Sequence, residues 1–224
     1  MKLSNKIFAV LIFSVAMAYL ESAIVVYLRL LYYPEGFIFP IKIIPDEIFL
    51  IEFGRELATI FMLASISYLI SIRFVERFAY FLFAFGVWDI FYYVWLKLFI
   101  NWPDSLFTDD LLFLIPVPWI SPVLAPIIVS IIFIVMSITL LVFQLKAISL
   151  KKNFLANILM VLGVLLILFS FMWNFQNRLN MHSPVEFLWE VFWLGIFLIV
   201  TGYVVLIRTS FIGLTTDIKI PNKE

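Results

Sequence analysis

Six apolar stretches, each long enough to form a membrane-spanning helix, take up most of this 224-residue chain. A helix needs about 20 apolar residues to cross the hydrocarbon core of a bilayer. Hydrophobic residues make up 65% of the sequence and charged residues 13%, which leaves no room for a separate soluble domain. The sequence therefore predicts an all-α integral membrane protein that forms a single six-transmembrane-helix bundle. The expected helices span about 7–29, 47–72, 78–100, 121–145, 153–175 and 184–207, and a polar cytoplasmic tail spans 208–224.

Lysine and arginine are unevenly distributed between the two ends of these helices. Ten of the 15 lie at the termini and in the connections around 73–77 and 146–152, whereas four lie toward the opposite side. Because the cytoplasmic segments of membrane proteins are enriched in Lys and Arg, we predict that both termini are cytoplasmic. The outer side then carries two apolar, proline-rich connections, at about 30–46 and 101–120.

The second outer connection is predicted to contain a short helix. Residues 108–110 read Thr-Asp-Asp, which is typical of a helix N-cap followed by acidic residues in the first turn. This pattern predicts a helix at 111–115. Ser121 and Pro122 are interpreted as the N-cap and the first-turn proline of the fourth long helix.

A carboxylate, Asp89, lies near the middle of the third apolar stretch. An ionised aspartate inside a membrane is unfavourable unless it is paired or faces water, so its presence indicates a functional site by default. Tyr92 and Tyr93 follow three and four residues later, and side chains at that spacing lie beside each other on a helix. We therefore expect at least one of these hydroxyls to donate a hydrogen bond to Asp89.

Further carboxylates are expected at a similar depth in the outer leaflet. At a rise of about 1.5 Å per residue, all five lie roughly 6 to 15 Å below the outer boundary. They are Asp89, Glu21, Glu52, Glu56 and Glu190. Arg55, between Glu52 and Glu56, is the only cation predicted in this layer. Five acids and one base cannot all be ionised in a dry bundle, so some must be protonated, hydrated or bound to a cation.

This predicted cluster is compatible with three kinds of function. The first is the handling of protons, a cation or a small polar solute, by the chain alone or as a subunit of a larger membrane complex. The second is a membrane-embedded enzyme that uses the carboxylates, with or without a metal. The third is purely structural, since polar side chains also hold membrane helices together. Whether the protein is an enzyme is left open.

Composition disfavours several other kinds of site. The chain has no cysteine and a single histidine, His182, which excludes thiolate-bound metals and disfavours haem or copper. No metal, cofactor or nucleic-acid partner is predicted. The stretch from Glu52 to Glu56 resembles the Glu and Arg motif of intramembrane CAAX-type proteases, but their adjacent glutamates and downstream histidines are missing, and we reject that assignment. The expected partners are the lipid bilayer of the cell membrane and other membrane subunits or further copies of the chain.

The predicted topology can be tested with single cysteines, because the natural chain has none. Cysteines at Ser149 and Asn177 should be labelled from opposite sides of the membrane by an impermeant thiol reagent, and Ser149→Cys should react from the cytoplasm. Labelling of both from the same side would contradict the six-helix count.

Overall fold

A computed structural model of the chain describes residues 2–33, 46–146, 148, 150–173 and 186–217. Six helices and two strands are present in this part of the chain. In order they are α1 (Leu3–Tyr32), α2 (Asp46–Ile70), α3 (Phe74–Ile100), β1 (Asp109–Phe113), β2 (Trp119–Pro122), α4 (Leu124–Leu145), α5 (Phe154–Met172) and α6 (Trp189–Asp217). Five of the helices, α1, α3, α4, α5 and α6, are long and apolar enough to cross a membrane. The prediction of a helical chain with several helices able to span a membrane is confirmed, whereas the sixth span and the side of the termini stay predictions.

The chain divides into two compact units, Met1–Ile138 with Met172–Phe187 and Thr139–Phe171 with Leu188–Glu224. In the first unit, α1 packs along α3, and α2 packs against both. Hydrogen bonds to main-chain carbonyl groups join the first pair: Trp95 donates to Val15, and Ser22 donates to Tyr92. These bonds satisfy side-chain polar groups of α1 and α3 in their apolar interface.

In the second unit, α5 and α6 approach each other backbone to backbone. A Cβ atom added to Gly163 would lie 2.6 Å from the carbonyl oxygen of Gly195, and one added to Gly195 would lie 2.8 Å from that of Gly163. Nearer the other end of α5, a Cβ at Gly202 would lie 2.7 Å from the carbonyl oxygen of Ala156. Small residues at such positions allow membrane helices to pack closely.

The prediction of a short helix at 111–115 is wrong, because β1 and β2 in this connection form a β-hairpin. Asp109 pairs with Pro122 and Phe113 with Trp119 in an antiparallel register, with an irregularity between Leu111 and Phe113. A helix of five residues makes too few internal hydrogen bonds to be stable. Pairing with the residues that follow the two prolines at 116 and 118 satisfies the backbone groups instead. Ser121 and Pro122 accordingly belong to β2, and α4 begins only at Leu124.

The last helix also differs from its predicted bounds of 184–207. Residues 186–188 are not helical, and α6 runs on to Asp217, so part of the predicted polar tail at 208–224 is helical. The Ser210 hydroxyl donates to the Leu206 carbonyl and accepts a hydrogen bond from the Lys151 amide, which ties this extension to the start of α5. The first proline-rich connection from residue 34 to 45, and His182, lie outside the described residues.

The α5–α6 contact generates a prediction about two glycines. Gly163→Ala should lower the free energy of unfolding by about 1–3 kcal/mol, because the new methyl group would clash with a carbonyl oxygen. The matched control is Gly54→Ala on α2, where a Cβ meets nothing within 4 Å. There alanine should be neutral or stabilise by about 0.5–1 kcal/mol. Thermal unfolding in detergent measures both, and equal melting temperatures would contradict the close packing.

Candidate functional site

Glu21 of α1 and Glu52 of α2 share one cation, Arg55. The Arg55 guanidinium donates from Nη1 to Glu21 Oε2 and from Nε to Glu52 Oε2, the latter at 2.8 Å. The Thr59 hydroxyl donates to the other carboxylate oxygen of Glu21. Glu52, Arg55 and Thr59 lie three or four residues apart, so one face of α2 supplies this whole set. The network joins α2 to α1 through matched donors and acceptors.

Glu56, one turn after Glu52, connects α2 to the hairpin. The main-chain amide of Leu114, which directly follows β1, points at the Glu56 carboxylate and lies 2.9 and 3.1 Å from its two oxygens. Glu56 is 5% exposed, and the nearby Arg55 guanidinium also interacts with it electrostatically. The carboxylate therefore supplies an acceptor to an amide that has left the strand ladder.

Asp89 is buried, at 7% exposure, and it has no cation beside it in the part of the chain that the structure describes. Its Oδ2 atom accepts a hydrogen bond of 2.8 Å from the Ser130 hydroxyl of α4. Gly86, one turn earlier, makes this contact possible, because a Cβ there would lie 2.6 Å from the Ser130 carbonyl oxygen. The charged group that interacts with Asp89 electrostatically is another carboxylate, Asp110.

Asp110 and Arg29 form a second buried ion pair, which the sequence analysis did not predict. Arg29 Nη2 lies 3.0 Å from Asp110 Oδ1, and the two residues are 8% and 1% exposed. The guanidinium carbon of Arg29 also lies 3.7 Å from the centre of the Trp102 ring, a cation–π contact. The ion pair therefore attaches the hairpin to the last turn of α1.

The tyrosines face this second pair rather than Asp89 alone. Tyr93 hydrogen-bonds to Asp110, and a hydrogen bond from at least one of the two tyrosines to Asp89 stays a prediction. Tyr92 interacts electrostatically with Asp89 and Asp110 and with both Arg29 and Arg55. The hairpin places Asp110 beside α3, where the carboxylates of Asp110 and Asp89 are both possible acceptors for the phenol hydroxyls.

Asp110 lies in β1, outside the helices that are long and apolar enough to span a membrane, and burial raises the pKa of its carboxyl group to about 6. The Arg29 charge, the Leu111 amide and the Tyr93 hydroxyl each favour the ionised form and offset part of this shift. Asp109, its neighbour on β1, adds to the increase in pKa through like-charge repulsion.

Most of the predicted site residues come together in the first unit, with two changes. Glu190 is exposed in the first turn of α6 and belongs to the second unit, so its membership stays a prediction. Asp110 and Arg29 join the cluster, which makes five buried carboxylates and two guanidinium groups among the described residues. Arg29 lies seven residues after Ser22, on the same face of α1, and that spacing is the signal that could have identified it.

Metal coordination receives no geometric support within the described residues, since no group of three or more His, Asp or Glu side chains there is arranged to hold a metal ion. Comparison of the chain with protein-family models, with curated proteins and with solved structures gave no match.

The Arg55 network can be tested by removing its cation. Arg55→Met should lower the free energy of unfolding by about 3–5 kcal/mol, because two buried carboxylates lose their counter-charge. Adding Glu21→Gln should recover part of that loss. The matched control is Arg73→Met, whose side chain is 62% exposed in a 3.6 Å pair with Glu76 and should contribute less than about 1 kcal/mol. Equal losses for both arginines, measured by unfolding in detergent, would contradict the network.

Proposed function

We propose that this chain is a multi-pass membrane protein that handles protons, or a small cation in place of the proton, at Asp89. The observation that supports the proposal is the surroundings of this carboxylate. It is buried on a helix that is long and apolar enough to span a membrane, its hydrogen-bond donor is the neutral Ser130, and it interacts electrostatically with the like charge of Asp110. A carboxylate in these surroundings requires neutralisation by a proton or a cation that binds reversibly.

The distribution of cations makes Asp89 differ from its neighbours. Arg55 is engaged by Glu21 and Glu52, and Arg29 is engaged by Asp110. Both guanidinium groups are therefore committed, and a buried ionised carboxylate without a counter-charge is strongly unfavourable. A proton or a bound cation at Asp89 would remove that cost. Reversible neutralisation of one intramembrane carboxylate is the elementary step of proton and cation handling.

The structural alternative describes one part of the cluster well. Arg55 and Thr59 donate hydrogen bonds to Glu21, and these bonds join α1 to α2. Polar side chains join membrane helices in this way without taking part in a reaction or in transport. Asp89 differs, because a single hydrogen bond from a neutral serine on α4 compensates poorly for the cost of burying an ionised carboxylate. The enzyme alternative stays a prediction, and no contact among the described residues favours it.

The proposed location is the cell membrane, with lipid around the apolar helices. Five helices long and apolar enough to cross a bilayer support a membrane location. Association with other membrane subunits or with further copies of the chain also belongs to the proposal. In such an assembly, Asp89 would supply one step of a longer path for protons or a cation.

The experiment is an infrared titration of the purified protein, in which protonated and ionised carboxyl groups give separate bands. The buried carboxylic-acid bands that titrate in the natural protein should include one that is missing in Asp89→Asn. The variant should keep its melting temperature within a few degrees, because asparagine can still accept a hydrogen bond from Ser130. Asp109→Asn, a half-buried carboxylate on β1, is the control and should keep the band.

Two results would contradict the proposal. An unchanged infrared titration in Asp89→Asn would show that this carboxylate does not exchange a proton. A large loss of stability in Asp89→Asn, comparable to that of Arg55→Met, would assign Asp89 to helix packing instead. A cation in place of the proton is distinguished by repeating the titration with and without added sodium, since competition moves the midpoint of the band.

A further inference from the structure

Tyr93 connects Asp89 to the buried ion pair of Arg29 and Asp110. It follows Asp89 by four residues on α3, and the two residues are 5% and 7% exposed. Residues at this spacing are neighbours on one face of a helix, and a helical side chain leans over the turn that precedes it. Tyr93 also interacts electrostatically with Asp89. Its phenol group therefore lies close to two carboxylates, that of Asp89 and that of Asp110, with which it is hydrogen-bonded.

The hydroxyl proton of Tyr93 is used in its bond to Asp110. Arg29 Nη2 lies 3.0 Å from Asp110 Oδ1, and this buried ion pair keeps Asp110 ionised at neutral pH. An ionised carboxylate has no proton to give, so the hydrogen bond between Tyr93 and Asp110 must be donated by the phenol. A phenol has only one proton to donate, but its oxygen also accepts hydrogen bonds. Tyr93 can therefore offer a further neighbour only its oxygen, as an acceptor.

The two protonation states of Asp89 meet this acceptor differently. In either state Asp89 Oδ2 can accept the 2.8 Å hydrogen bond from the Ser130 hydroxyl. A protonated Asp89 has in addition an O–H group, for which the Tyr93 oxygen is an acceptor one turn away. An ionised Asp89 has nothing to donate, and it faces a lone pair of Tyr93 and the like charge of Asp110. A hydrogen bond to the neutral form and a nearby like charge both favour the neutral form.

We propose that Tyr93 accepts a hydrogen bond from protonated Asp89, and that this contact makes a proton, rather than a metal cation, the species that binds at Asp89. The inference rests on the proposed function, because it names the species handled at the same site. Asp110 and Arg29 act on Asp89 through Tyr93 and are positioning residues. A proton needs a single acceptor here, whereas no group of three or more His, Asp or Glu side chains within the described residues is arranged to hold a metal ion.

The remaining charged and polar groups near Asp89 leave this preference unchanged. The hydroxyl of Ser130 on α4 is neutral, and so is that of Tyr92 on α3, which interacts electrostatically with Asp89. Arg29 of α1 and Arg55 of α2 interact with Tyr92 in the same way, but each of them is bound to carboxylates of its own. In the part of the chain that the structure describes, Asp89 forms no ion pair that would stabilise its ionised form.

The sign of a shift in the infrared titration tests this assignment. The reporter is the carboxylic-acid band that is missing in Asp89→Asn. Tyr93→Phe keeps the ring and removes the acceptor, so the neutral form of Asp89 loses a hydrogen bond. The midpoint of the band should then fall by about one pH unit, a roughly tenfold loss of proton affinity. Ser130→Ala should raise the midpoint, because a hydroxyl donor stabilises an ionised carboxylate more strongly than a neutral one.

Two controls separate this hydrogen bond from general effects. Tyr92→Phe removes the neighbouring hydroxyl on the same helix, which is not oriented by a bond to Asp110, and it should move the midpoint by less than half as much as Tyr93→Phe does. Sodium is the probe for the metal alternative: adding it at constant ionic strength should leave the midpoint of the natural protein unchanged. Both tyrosine variants should keep their melting temperatures within a few degrees, because phenylalanine preserves the ring packing.

The inference is overturned if Tyr93→Phe leaves the midpoint unchanged or raises it, since a rise would mean that Tyr93 donates to an ionised Asp89. It is also overturned if Tyr92→Phe lowers the midpoint equally, or if sodium lowers the midpoint of the natural protein. Each of these results requires that the band of Asp89 exists. They are therefore distinct from failure of the proposed function, in which Asp89→Asn removes no titrating band.

Discussion

Burial of five carboxylates with two guanidinium groups is the constraint on which the first unit depends. Each carboxylate is less than a tenth exposed, so hydration cannot stabilise all five as anions. The protein distributes the two cations unequally: Arg55 serves two acids at once, Arg29 serves one, and Asp89 has none among the described residues. The unequal distribution, rather than the number of acids, distinguishes Asp89 from the carboxylates that are paired with an arginine.

The two ion pairs also differ in what they connect. Arg55 joins α1 to α2, two long helices that main-chain hydrogen bonds already keep regular, and its partners are fixed on either side. Arg29 joins α1 to a two-stranded hairpin, and an isolated hairpin is only marginally stable by itself. Loss of the Arg55 network would therefore act on two long helices, whereas loss of the Arg29–Asp110 pair would act on a small element.

Hydropathy and helical spacing predicted the parts that depend on local sequence. Long apolar runs determine where helices can form, and depth along those runs placed Glu21, Glu52, Glu56 and Asp89 in one layer. The hairpin was missed because its stability comes from pairing residues about ten apart across two prolines, a contact that local cap and helix signals do not report. Arg29 was missed because a cation near a helix end also fits an interfacial anchor, and its pairing with Asp110 depends on a hairpin contact that helical spacing does not report.

Close packing explains why Asp89 has Ser130 as its partner. Gly86 lets the backbone of α4 approach α3 so closely that no side chain fits between them, and Asp89 lies one turn further along the same face. At that separation a serine reaches the carboxylate, whereas a long basic side chain on α4 would not fit between the helices. The backbone contact thus keeps a permanent counter-charge away from Asp89 on this side. From the hairpin, the carboxylate of Asp110 adds a like charge that also interacts with Asp89, so the described surroundings of Asp89 supply a hydroxyl and a second acid.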